Sequence, residues 1–143
     1  MDIYEPQDIA KILRGFMWVF AALGMLLIFS VFAEGIRLAH VPFVCFANAY
    51  NLSLSRQEVL YKLMTAEERA AAFRRSRKKI LACNAFFTVV GSALVPLVFA
   101  RGRIFEYLMA LILLMVICMI WRSYVKLRRV SSNASLYKNP QSQ

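Results

Sequence analysis

With 143 residues, 60% of them hydrophobic, and a formal charge of +10, the chain has more apolar surface than one small core can bury and sets its basic residues between the apolar stretches. That composition excludes a separate soluble domain of ordinary size, and three runs of spanning length exclude a wholly soluble fold. A β-barrel is excluded as well, because a run such as residues 110–117 shows no alternation of polar and apolar side chains.

The expected fold is all-α: a polytopic integral membrane protein forming one membrane domain over residues 1–143. Transmembrane helices are expected at 15–33, 80–100 and 104–121, with a cytoplasmic loop at 34–79 that holds an amphipathic helix region and a cytoplasmic basic tail at 122–143. As helices the three spans would measure about 28, 31 and 27 Å, close to a hydrocarbon core of about 30 Å.

Residues 1–14 contain Pro6 and mixed charges, and Ile9, Ile12 and Leu13 suit a short interfacial turn of helix before the first span. Phe16 and Trp18 then stand at the outer boundary, where aromatic rings favour the headgroup level. Val31-Phe32-Ala33 resembles a signal-peptidase site, but a 19-residue apolar region behind a net negative N-region favours a retained anchor.

Charge orients the chain. The net charge is −1 over residues 1–14, +5 over 34–79, +2 over 101–103 and +5 over 122–143. Basic residues near spans are retained on the cytoplasmic side, so the loop and tail are expected inside. Three crossings then put the N-terminus outside, together with the turn Arg101-Gly102-Arg103. A bacterial inner membrane is the expected location.

Residues 38–50 are apolar but would extend only about 20 Å as a helix, and Pro42 interrupts them. An interfacial or re-entrant segment is expected there. The alternative, a fourth span, would carry the tail to the N-terminal side. Two capping boxes follow, Ser55 with Glu58 and Thr65 with Glu68, and predict helix starts near 56 and 66. The first short helix would gather Val59, Leu60, Leu63 and Met64 on one face.

The second runs from Glu67 and Glu68 through three alanines to Arg74, Arg75, Arg77, Lys78 and Lys79, and enters the second span with no breaker. These five bases, with Arg128 and Arg129 after the third span, are the expected contacts for anionic headgroups. Lipid is the expected partner of the surplus charge, and nucleic acid is not, because the bases lie within a few positions of the membrane.

Within the second span Asn84, Thr88, Gly91 and Ser92 fall on one helical face and are read as a helix-packing face. Pro96 predicts a bend near Ser92. Glu106, at the start of the third span, is expected to form an outer-turn ion pair with Arg101 or Arg103. Trp121 and Tyr124 are read as inner boundary anchors, Arg122 to Arg129 as one or two further turns of helix, and Ser131 to Gln143 as a disordered polar end.

No catalytic set emerges. Cys45, Cys83 and Cys118 lack the spacing of a zinc site and are read as small apolar packing groups, and His40 has no second ligand at metal spacing. There is no phosphate-binding glycine loop and no nucleophile elbow, so neither cofactor nor metal is expected. The sequons at Asn51 and Asn133 fall in segments expected in the cytoplasm and should be unused. Arg128-Arg129-Val130-Ser131 matches a basic-directed phosphorylation pattern.

The first functional expectation is a non-enzymatic subunit or regulator of a larger membrane assembly, acting by helix and surface contacts, with other membrane proteins as partners. A homo-oligomer is compatible with it. The alternatives are an inhibitor of a membrane-crossing process, in the manner of colicin-type immunity or plasmid exclusion proteins by size and topology only, and a small oligomeric solute carrier lined by Thr88, Ser92 and Glu106.

Overall fold

The computed structural model describes residues 5–35, 38–99 and 104–132. They form four helices: α1 Pro6–Glu34, α2 His40–Leu63, α3 Ala66–Phe99 and α4 Ile104–Ser132. Three of these, α1, α3 and α4, are long and apolar enough to cross a membrane. The fold is thus all-helical with three candidate spans, as expected, and a fourth long helix beside them.

The boundaries follow local chemistry. Pro6 opens α1 at a position where a missing N–H leaves no hydrogen bond unmade. Gly35 closes α1 with φ +98°, a backbone conformation that favours glycine, and its N–H reaches Val31 O at 2.8 Å. The Thr65–Glu68 capping box forms reciprocally: Thr65 N–H donates to Glu68 Oε2 at 3.2 Å and Glu68 N–H to Thr65 Oγ1 at 3.4 Å. From there α3 runs unbroken through the basic segment and the second span, and it continues through Pro96 to Phe99.

The region between the first two spans differs from the sequence reading. Residues 38–50 and 56–64 are not two separate pieces: one helix, α2, covers 40–63. Pro42 is the third residue of α2, in the first turn, where its amide would have no intrahelical acceptor, so it does not interrupt anything. Ser55 lies in the middle of the same helix, and its capping box is not a helix start. Neighbouring helices hold the segment helical, and tertiary packing outweighs a local cap signal.

The helices alternate in direction. Gly24 of α1 faces Phe46 of α2, Tyr50 and Tyr61 of α2 face Asn84 and Ser76 of α3, and Phe73 of α3 faces Tyr124 of α4. Helix α1 packs extensively along α2, α2 packs on α4, and α3 packs on α4. Helix α2 is therefore the inner member and α1 the outer one. No residue from Val41 to Tyr61 is exposed, whereas α1 exposes Trp18, Leu26, Phe29 and Phe32.

This up-and-down order gathers the N-terminus of α1, the α2–α3 link and the C-terminus of α4 at one end. All fourteen lysines and arginines of the described residues lie toward that end, from Lys11 and Arg14 on α1 to Arg128 and Arg129 on α4. Toward the other end Phe43, Ala47, Leu94, Val98, Ala110, Leu113, Val116 and Ile120 form an apolar core.

Gly91 lets three helices meet in that core. A Cβ placed there would lie 2.6 Å from Ile117 Cδ1 and 3.0 Å from Phe43 Cζ. The flexible end of Ile117 can yield to one methyl group, but a larger side chain has nowhere to go. Gly91→Leu is therefore expected to destabilise the bundle by about 1–3 kcal/mol, and Gly91→Ala by clearly less. Thermal unfolding of the two variants in detergent measures the difference.

Candidate functional site

The inward stripe of α3 organises the polar chemistry. At three- and four-residue spacing it presents Arg69, Phe73, Ser76, Ile80, Asn84, Phe87, Gly91, Leu94 and Val98. Its polar members belong to the half nearer the basic end, and the far half is apolar. The sequence-predicted packing residues divide accordingly: Asn84 and Gly91 are buried, Thr88 is half-buried, and Ser92 is exposed and turned off the stripe.

Several of the polar groups tie two helices, while Asn84 Nδ2 is buried without a hydrogen-bond partner. Tyr50 Oη on α2 donates to Asn84 Oδ1 on α3 at 2.7 Å and also lies 3.2 Å from Ile80 O. The Tyr61 and Ser76 hydroxyls are 3.2 Å apart one level nearer the basic end. Thr88 Oγ1 donates back to Asn84 O at 2.7 Å, and Trp121 Nε1 on α4 donates to Thr88 Oγ1 at 2.8 Å. Ser123 Oγ on α4 donates to Asn51 Oδ1 on α2. The result is a seam that links α2, α3 and α4, backed by the stacked rings of Tyr50 and Phe87 at 5.1 Å.

These are ties by hydroxyl and amide groups. Among the described residues no group of three or more His, Cys, Asp or Glu side chains is placed to hold a metal. The cysteines are all free, Cys45 buried and Cys83 and Cys118 exposed on the outer faces of α3 and α4.

The bases assigned to headgroups occupy the face of α3 opposite the stripe: Arg74, Arg75, Arg77, Lys78 and Lys79 are all exposed, as are Arg128 and Arg129 on α4. Glu106 is half-buried in the first turn of α4, while Arg101 and Arg103 lie outside the described residues, as does the tail beyond Ser132. Helix α4 itself continues eleven residues past Trp121, further than the turn or two expected.

Three features of the site were not read from the sequence. Tyr124 is not a boundary anchor: it is 7% exposed and packs against Phe73 at 6.2 Å between ring centres. Its place in the spacing 113, 117, 120, 124, 127 was the available signal. Tyr50 supplies the partner of Asn84, which no one-dimensional pattern reveals. Arg69, one of eight bases between 56 and 79, is the one with no exposed surface at all.

Comparison with family models, with curated proteins and with solved structures returned no match. The site is therefore interpreted from its own geometry. In a double-mutant cycle, Tyr50→Phe and Asn84→Ala should show a coupling of about 0.5–1.5 kcal/mol, read from thermal unfolding in detergent. Full additivity would mean that this hydrogen bond does not join α2 to α3.

Proposed function

We propose that the chain is a membrane-embedded subunit or regulator of a larger assembly, working through helix and surface contacts and not through catalysis. The observation that supports this reading is the use of the bundle's polar groups. Tyr50, Asn51, Asn84, Thr88, Trp121 and Ser123 bond one another across helix interfaces instead of lining an open space, so they serve assembly of the bundle. What remains for lipid and outside partners is the apolar outer surface of α1, α3 and α4, of which α1 exposes Trp18, Leu26, Phe29 and Phe32, and the strongly basic end.

The same reading assigns four crossings, with both termini in the cytoplasm of a bacterial cell. Helix α2 lies against the apolar length of α1, and its 24 residues extend about 36 Å. It is less apolar than its neighbours, but a helix enclosed by others needs no lipid-facing surface, and its Asn48, Asn51 and Ser53 are sheltered. Four crossings also put the fourteen described bases on one side, including Lys11 and Arg14, which three crossings would strand opposite the rest. The exposed bases on α3 and α4 then face the anionic inner leaflet.

Fluorescent-protein fusions that fold only in the cytoplasm test the orientation: fusions at either terminus are expected to fluoresce. A dark N-terminal fusion beside a bright C-terminal one would restore three crossings with the N-terminus outside.

For the function, a tagged chain at native level, extracted in mild detergent, is expected to bring a stoichiometric membrane partner that Leu26→Ser with Phe29→Ser on α1 removes. A chain recovered alone would overturn the subunit reading and favour an inhibitor that meets its target only transiently.

A further inference from the structure

We propose that Arg69 is the centre of a phosphate-binding site at the basic end of the bundle. Arg69 sits in the second turn of α3, at the last inward position of its stripe, and is 0% exposed. Its Nε, Nη1 and Nη2 atoms are all buried and none has a hydrogen-bond partner. A guanidinium stays charged at any pH the protein meets, so the charge cannot be removed by deprotonation. Left alone, a buried unpaired charge is strongly destabilising, and an anion is the physical remedy.

The described acids at this end are committed elsewhere or face solvent. Asp8 pairs with Lys11 at 3.6 Å, Glu58 pairs with Lys62 at 3.3 Å, Glu68 closes the capping box with Thr65, and Glu5 and Glu67 are exposed. None forms an ion pair with Arg69.

The surroundings add donors instead. The positive end of the α3 helix dipole lies one turn away, whereas the unpartnered atoms on α2, Arg56 Nε and the acceptor Gln57 Oε1, lie nearer the level of Ile80 and are not part of this site. Beside this face opens a cleft of about 400 Å³ lined by Met64, Glu68, Ala71, Ala72 and Arg75. Met64 and Ala72 line it while also packing on the cluster that holds Phe73 and Tyr61. Arg69 itself is not among the residues that line the cleft.

A planar fork of unpartnered donors suits a phosphate oxyanion. The source follows from depth. Arg69 lies eleven residues from Ile80, about 16 Å along the helix on the far side of Lys79, which favours a soluble phosphate compound over a lipid headgroup. Nothing in this site depends on the chain being a subunit, so it is tested on the isolated protein.

The full chain, purified in a neutral detergent, is heated in increasing sodium phosphate against sodium chloride of equal ionic strength. A saturable rise in unfolding temperature specific to phosphate is expected. Arg69→Gln should raise the half-saturating concentration by about tenfold or more, Arg69→Lys should raise it less, and Arg14→Gln, exposed on α1, should leave it unchanged.

In parallel, nanodiscs with anionic lipid are compared with neutral ones. Protection by anionic lipid alone, lost in Arg69→Gln, would keep the phosphate chemistry and move its source to a headgroup. A wild-type chain that responds to neither, or a response that Arg69→Gln retains, overturns the site. The wild-type comparison decides even if every Arg69 variant fails to fold.

Discussion

A polar side chain inside a bilayer has to find its partner on another helix, because neither lipid nor its own backbone can satisfy it fully. In this bundle α2 supplies most of the cross-helix partners that are found, although Gln57 Oε1 and Arg56 Nε on it and Asn84 Nδ2 on α3 are buried without one. Enclosed by α1, α3 and α4, it carries the tyrosines and asparagine that meet Asn84, Ser76 and Ser123 on its neighbours. The other features of the fold follow from its position. Helix α1, which touches little but α2, keeps its polar groups to its ends and to Ser30, which bonds its own backbone at Leu27 O, and is apolar over most of its circumference.

The bundle grades from polar to apolar along its axis. Near the basic end, hydroxyls and amides cross-link the helices at fixed heights and so set their register. Toward the other end, Phe43, Leu94, Leu113 and Ile120 fill the interior, and Gly91 lets α2 and α4 close on α3. Dispersion contacts in the far half hold the helices together without specifying register, since apolar side chains accept several neighbours. The hydrogen bonds supply the specificity, because a slipped helix would leave Asn84 with no oxygen or hydroxyl partner.

The basic end joins these two themes. Long side chains on the outer faces of α3 and α4 remain solvated, and their charge suits an anionic leaflet. Arg69 differs from them only in the direction it points. Four residues before Phe73 and seven before Ser76, it belongs to the interior stripe, so the same helical period that exposes Arg74 and Arg75 buries it.

Much of this was legible in one dimension. Three spans, the unbroken passage from Thr65 through the basic segment into α3, and the shared face of Asn84, Thr88 and Gly91 depend on hydropathy, capping and helical period, which act between residues close in sequence. The extent of α2 was not legible: Pro42 and the Ser55 capping box both signal a boundary, and their weight is set by what packs against the helix. Nor could the chain alone distinguish Arg69 from Arg74, or Tyr124 from a headgroup anchor. Local sequence determined which segments are helical enough and apolar enough to enter a membrane. The tertiary structure decided which polar and charged groups are sheltered, because burial is a property of neighbours that lie tens of residues away.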